Sequence, residues 1–413
     1  MLPSCRARRL EIHRLFNVTF ILQLGLKVLD LIAPLVYAIL VQMHMQLTDR
    51  ASGLGFGQHR SLGISATARM KREKTMRVLV TGGAGYIGTH TLLQLLRSEH
   101  EVIVYDNFSN SSPEALRRVK QLTNADFQIC EGNIQDPARL NEAFSGFKPE
   151  AVVHFAGLKS VGDSNQAPLE YYTQNVTGTI ELLRKMQQYD CRHIVFSSSA
   201  TVYGEARYLP YDENHPLQPA SPYGRTKYFI EEIIRDWTAS WKEASAVLLR
   251  YFNPVGADIS GRIGEDPTGI PNNLIPYMAQ VAVGRLARLN IFGGDYDTRD
   301  GTGERDFIHV EDLARAHLAA IDFATVSAGC EAINVGTGQG ATVLEMVTAF
   351  ELASKRSIPY EIVPRRQGDV ARMIAAVSKA ERLLGWKAEC GIEEMCKTTW
   401  SWQTGNPNGY NVR

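Results

Sequence analysis

A chain of 413 residues can hold two or three domains, and its 44% hydrophobic and 21% charged content is that of an ordinary globular protein. Lys plus Arg number 44 and Asp plus Glu number 44, so the net charge is zero, without the basic excess of a nucleic-acid binder. Six scattered cysteines (Cys5, Cys130, Cys191, Cys330, Cys390, Cys396) form no Cys-x-x-Cys pair, which argues against a disulfide scaffold or a zinc site. A cytoplasmic protein with no metal is the expectation.

The first 75 residues differ from the rest, with 11 Lys/Arg against 4 Asp/Glu, a surplus of +7 that the remainder offsets. Lys27 and Asp30 interrupt an apolar region from Leu15 to Leu47, and its longest clean run, Leu31 to Val41, has eleven residues. That is short of the roughly 20 needed to span a bilayer. A presequence or poor membrane anchor, an ordered extra helix, and an extension with no part in the chemistry all remain open. The third is favoured, because Met76 opens the first clear strand. No membrane partner is expected.

Met76 to Thr81 is a β-branched run, read as a buried strand, and it enters Gly82-Gly-Ala-Gly-Tyr-Ile-Gly88. Glycines at this spacing allow a tight turn, close approach to a pyrophosphate, and tight packing of the helix that follows. The leucines Leu92, Leu93, Leu95 and Leu96 mark that helix, whose N-terminus faces the phosphates. Asp106 ends a second strand 18 residues past Gly88, where an acid holds ribose hydroxyls. Asn107, Phe108 and Ser109 follow it with no arginine for a 2′-phosphate, so NAD is expected rather than NADP.

Further strands end in polar or small groups: Ala151 to Ala156 before Gly157, His193 to Ser197 before a serine pair, Val247 to Phe252 before Asn253-Pro254. Ligands of open α/β sheets bind beyond such carboxyl ends. His154, mid-strand, reads as a satisfied core histidine. Tyr223-Gly-Arg-Thr-Lys227 puts an ammonium one helical turn from a phenol. A phenol ionises near pH ~10, and a nearby cation favours the phenolate, making Tyr223 a candidate base. Alone, this spacing occurs by chance in many helices.

The serine strand, the Tyr-x-x-x-Lys helix and the glycine loop together resemble the extended short-chain dehydrogenase/reductase superfamily. Within it, the series Thr81 to Gly88, Phe155 to Lys159, Ser197 to Gly204, Ser221 to Gly224, Arg250 to Gly256, Gly269 to Leu274, Asp300 to Gly303 with Arg305-Asp306, and Arg365-Arg366 with Gly368-Asp369 is similar to the UDP-glucose 4-epimerases. The likeness runs from Met76 to near the C-terminus.

The resemblance implies a Rossmann-type doubly wound parallel sheet with a smaller mixed α/β substrate domain. NAD would be held mainly by residues 76–250 and the UDP-sugar mainly by 251–413, with some chain returning to the Rossmann part. It implies catalysis by Tyr223, Ser199 and Lys227. It implies NAD contacts from Gly82, Gly85, Tyr86, Ile87, Gly88, Asp106, Asn107, Phe108, Ser109, Asn110, Ser111, Asn133, Ile134, Phe155, Ala156, Gly157, Leu158, Lys159, Asn175 and Phe252. Besides Lys159, Ser199 and Tyr223, substrate contacts would come from Asn253, Asn273, Leu274, Asn290, Ile291, Phe292, Arg305, Arg366, Asp369 and Met373. UDP-glucose and UDP-galactose are the implied substrates, and a homodimer paired through helices of the Rossmann part is the implied assembly.

Three positions depart from the family pattern. Asn133 replaces a usual aspartate, so weaker NAD binding is expected, its carbonyl still able to accept from the adenine amine. Phe307 replaces a common tyrosine, which predicts a hydroxyl lost near the nucleotide. Met373 stands at a gate for N-acetylated sugars and leaves their acceptance open, with rejection favoured. A dehydratase or decarboxylase of the same superfamily is a poorer fit, because Ala200-Thr201 after Ser199 lacks the acidic pair that dehydration needs. A non-catalytic dinucleotide sensor would typically lose the tyrosine or lysine, and both are present.

Overall fold

The computed structural model describes residues 75–366 and 369–411. The expectations for the first 74 residues, and for Gly368, lie outside the described residues. The chain opens with β1 (Arg77–Thr81), α1 (Tyr86–Arg97), β2 (Glu101–Asp106), α2 (Pro113–Thr123), β3 (Gln128–Glu131), α3 (Pro137–Phe147) and β4 (Ala151–His154). Then come α4 (Val161–Gln166), α5 (Pro168–Tyr171), a π-helical turn (Tyr172–Thr177), α6 (Gly178–Gln188), β5 (His193–Ser199), α7 (Pro222–Ser240) and β6 (Ser245–Tyr251).

Seven strands form one sheet in the order β10-β6-β5-β4-β1-β2-β3, where β10 is Gly329–Val335, and every pairing is parallel. Parallel strands need helical crossovers, and those helices bury both faces. That is why β1, β4 and β6 are continuous apolar runs rather than alternating ones. Leu92 and Leu95 of α1 and Leu116 and Val119 of α2 pack one face; Leu140, Phe144, Leu182, Ile230 and Ile234 pack the other. The architecture is the expected doubly wound α/β sheet. Strand order reverses between β1 and β4, and a ligand crevice forms at such a reversal.

After β6 the chain alternates between two tasks. β7 (Asn253–Val255), α8 (Leu274–Ala282), β8 (Leu289–Phe292) and β9 (Glu304–His309) build a second core; α9 (Val310–Val326) and β10 then return to the large sheet. β11 (Gly340–Thr342), α10 (Val343–Ser354), β12 (Tyr360–Val363), β13 (Arg372–Met373), α11 (Ser378–Leu384) and α12 (Ile392–Gly405) follow. β9 is the spine of the smaller sheet, pairing with β7, β11 and β13, while β12 pairs with β8. The second core gathers Ile275, Met278, Ile291, Phe307, Val347 and Phe350.

Candidate active site

The glycine loop is shaped by contacts that tolerate no side chain. Gly82 has φ +68°, and a Cβ there would lie 2.7 Å from the Ala156 amide nitrogen. At Gly88 a Cβ would meet the Gly82 carbonyl at 2.5 Å, so the third glycine is what lets α1 start against the loop. Gly85 is the N-cap of α1 and supplies no side-chain cap, and no acidic residue occupies the first turn. Amide donors at a helix N-terminus, with no acid in its first turn, fit a pyrophosphate.

Asp106 ends β2 as expected and is 7% exposed. Its Oδ2 accepts from the Ala84 amide at 2.9 Å, and its Oδ1 accepts from the Phe108 amide and the Ser111 hydroxyl, each at 2.9 Å. The carboxylate thus couples the glycine loop to the loop after β2. Phe108 sits there at φ 54°, an uncommon conformation for a bulky residue that these bonds hold. Asn107 accepts from the amide and hydroxyl of Ser109, and Asn110 accepts from Thr268. Tyr86 turns away from the loop and donates to the Gly256 carbonyl at 2.7 Å.

Beyond β4, residues Phe155 to Lys159 are clamped by Asn175, which the π-helical turn pushes into the protein. Asn175 is 2% exposed; its Oδ1 accepts from the Leu158 amide at 2.8 Å, and its Nδ2 donates to the Leu158 carbonyl at 3.0 Å. The same Nδ2 reaches the Thr226 hydroxyl at 3.1 Å, on α7. Sequence reading missed Thr226, although it lies inside the Tyr223-to-Lys227 motif. His154 is a satisfied core histidine, bonded to Thr81 and Thr179. The Asn133 Oδ1 accepts from Gln135 and Gln174, so the oxygen expected to meet an adenine amine already has two donors. Ile134 is buried beside Gly178.

Ser221 caps α7 through the Gly224 amide at 3.1 Å, with Pro222 in the first turn. This cap places Tyr223 at the mouth of the helix and Lys227 one turn in. Lys227 is 5% exposed; its Nζ lies 5.8 Å from the centre of the Tyr223 ring and donates to the Ser197 carbonyl at 2.7 Å. Ser199, at the end of β5, accepts from the amide and hydroxyl of Thr201, and its hydroxyl neighbours the Tyr223 phenol and favours its ionisation.

Tyr223 is not a lowered-pKa phenol, contrary to expectation. Burial pushes it up to about 12, with the Ser199 hydrogen bond opposing. Burial likewise brings Lys227 down to about 7, with Glu231 opposing. Desolvation outweighs attraction because Lys227 directs its proton at a backbone carbonyl rather than at the phenol. The buried Tyr251 phenol, missed by sequence reading, faces Ser197 and Tyr223 and is pushed up by burial.

The C-terminal candidates gather around β9. Arg305 is aligned with Met373 on β13, and Asn253 on β7 is aligned with Phe307. Arg305 is pulled down by burial, and the charges of Asp369 and Arg366 act on it. Arg366 bonds Asp369 at 3.0 Å and lies 4.5 Å from the Phe292 ring centre. Two arginines with one acid and an aromatic face suit a diphosphate beside a base. Met373 packs with Phe252 and Ala200, the residue after Ser199. Lys159 and Asn273 share Glu265, whose Oε1 lies 3.5 Å from the lysine and 3.2 Å from the amide. Leu274 begins α8 and is half-buried against the second core, and Asn290 is exposed on β8.

Two expectations change. Ile291 is 1% exposed, its side chain inside the second core, because β8 alternates. Phe307 is also buried there, and the ring itself fills core space next to Met278 and Phe350 rather than a nucleotide pocket.

Residues 78–336 match the NAD dependent epimerase/dehydratase family. The chain belongs to that family. UDP-glucose 4-epimerase of Bacillus subtilis (strain 168) is 54% identical over 335 residues, covering 81% of this chain and 99% of the relative. The Homo sapiens UDP-glucose 4-epimerase is 53% identical over 344 residues, 82% of this chain and 99% of that one. A crystal structure of UDP-glucose 4-epimerase from Bifidobacterium longum, in complex with NAD+ and UDP, is similar at TM-score 0.78 and 50% identity. It covers 81% of this chain and 99% of its own.

Proposed function

We propose that this protein interconverts UDP-glucose and UDP-galactose by NAD-dependent inversion at C4. The observation that carries the reading is the convergence of Ser199, Tyr223 and the buried Lys227, whose Nζ lies 5.8 Å from the Tyr223 ring centre, at the carboxyl end of the sheet that holds the glycine loop. Relatives more than half identical over nearly their whole length support the same reaction.

NAD, which the glycine loop and Asp106 would hold, would supply reversible hydride exchange with C4 of the sugar. The protein's part is proton handling and grip. Tyr223 removes the 4-hydroxyl proton and gives it back, and Ser199 hydrogen-bonds the same oxygen. Lys227 has donors left beyond Ser197 for a ribose hydroxyl, and its ammonium favours the phenolate. Asp106, Asn133, Asn175 and the Phe155-to-Lys159 segment form the NAD side. Arg305, Arg366 and Asp369 hold the diphosphate while the sugar turns, with Asn253, Asn273, Asn290 and Phe292 on the nucleotide side. Met373, beside Phe252, borders the sugar.

Residues 76–250 act as the NAD-binding part and 251–413 mainly as the UDP-sugar part, α9 and β10 belonging with the former. A homodimer is proposed as well, supported by the apolar residues Leu169 and Phe229 exposed at 79% and 42% on helices of one sheet face. A cytoplasmic location is supported by the free cysteines among the described residues, none of whose helices is long and apolar enough to cross a membrane. The test is direct: the full chain should convert UDP-galactose to UDP-glucose with no cofactor added, and no UDP-glucose, or net accumulation of NADH, would defeat the proposal.

A further inference from the structure

Glu231 is a fully buried carboxylate that the reaction above does not use. It lies one helical turn past Lys227 on α7, on the sheet-facing side. Arg250 of β6, 1% exposed, engages both its oxygens: Nε donates to Oε1 at 2.9 Å and Nη2 to Oε2 at 2.5 Å. The Ser198 hydroxyl donates to the same Oε1 at 2.5 Å. Arg250 continues the network through Nη1 to the Tyr203 hydroxyl at 3.1 Å, which donates to Asn334 of β10 at 2.6 Å.

A buried ion pair is a poor device for stability alone, since apolar residues of similar volume usually do as well. Its position here is specific. Two successive residues of β5 are tied to α7: Ser197 through its carbonyl to Lys227, and Ser198 through its hydroxyl to Glu231. Ser199 is the next residue, and Tyr223 stands one turn before Lys227. The two ties therefore set the distance between the serine strand and the tyrosine helix.

We propose that Glu231, oriented by Arg250, is a positioning residue for the reaction: it fixes Ser199 against Tyr223 through Ser198, and it is the negative charge that faces Lys227. The charged and titratable groups around Glu231 are Arg250 from β6, Tyr203 from the turn after β5, Cys330 from β10, and Lys227 and Arg235 from its own helix. Of these, Lys227 is the group that burial brings down to about 7, with the Glu231 charge opposing. Without that carboxylate the ammonium is lost at lower pH.

Steady-state kinetics of the full chain with its NAD test this in three variants: Ser198→Ala, Glu231→Gln, and the double variant Glu231→Leu with Arg250→Met. The double variant removes the pair without stranding a buried arginine, so it serves if Glu231→Gln fails to fold. The expected result is a kcat lower by at least about tenfold in every folded variant, with KM for UDP-galactose within about twofold. In the variants lacking the carboxylate, the alkaline limb of kcat also moves to lower pH. A folded Ser198→Ala or double variant with wild-type kcat overturns the proposal, as does an unmoved alkaline limb in the double variant.

Discussion

Tyr223 has two faces in this structure. Its neighbour Ser199 favours the phenolate, yet burial pushes its phenol up to about 12. A base in that state works only when the bound ligands add positive charge or when Lys227 redirects its proton. Tyr223→Phe keeps the ring and removes the oxygen, so kcat should fall by about 10²–10⁴ with the melting temperature nearly unchanged, read by coupled assay and calorimetry. Lys227 makes a second prediction. Its folded value near 7 lies below the ordinary value of 10.5, so the unfolded chain binds the extra proton between those limits. The cost of burying the ammonium is full below pH 7 and vanishes above 10.5, so stability of the NAD-free protein should rise with pH across that window. Lys227→Met should flatten the rise in urea midpoints. The tyrosine and lysine were legible in the sequence because their relation is local, one helical turn. Glu231 and Arg250 were not, because a buried pair between a helix and a strand has no spacing signature.

At the level of elements, the site depends on close approaches between loops and helix starts. Gly88→Ala would force a Cβ to 2.5 Å from the Gly82 carbonyl and 2.8 Å from the Gly83 Cα, backbone atoms that cannot yield cheaply. The expected loss is about 1–3 kcal/mol with a marked fall in co-purified NAD, measured by denaturation and by absorbance of released cofactor. Asn175→Ala strands both the amide and the carbonyl of Leu158, a cost of about 1–3 kcal/mol, and should loosen NAD as well. The glycine loop could be read directly, since strand, glycines, helix and terminal acid follow one another in the chain. The Asn175 clamp could not, because a π-helical turn aims it and hydropathy does not report such a turn. Ile291 and Phe307 show the same limit: motif likeness placed them at the nucleotide, and strand alternation and core packing decided where their side chains went.

For the whole molecule, the large sheet and the smaller one are joined by chain that crosses between them. β9 carries Arg305 in the smaller sheet, and α9, which follows without a break, packs on the large one. The segment from Glu304 to Val326 thus ties the two sheets together within one stretch of chain. The doubly wound class was legible from alternating strands and helices; the return of β10 to the edge of the large sheet was not, since the order of strands is set by packing. The proposed reaction restores its own cofactor. Turnover of UDP-galactose by the full chain with no NAD added, following UDP-glucose and NADH absorbance together, is the decisive measurement. Many turnovers to UDP-glucose with no net NADH are expected, and loss of that conversion in Tyr223→Phe. NADH accumulating in step with substrate loss, or undiminished conversion by Tyr223→Phe, would contradict the proposal.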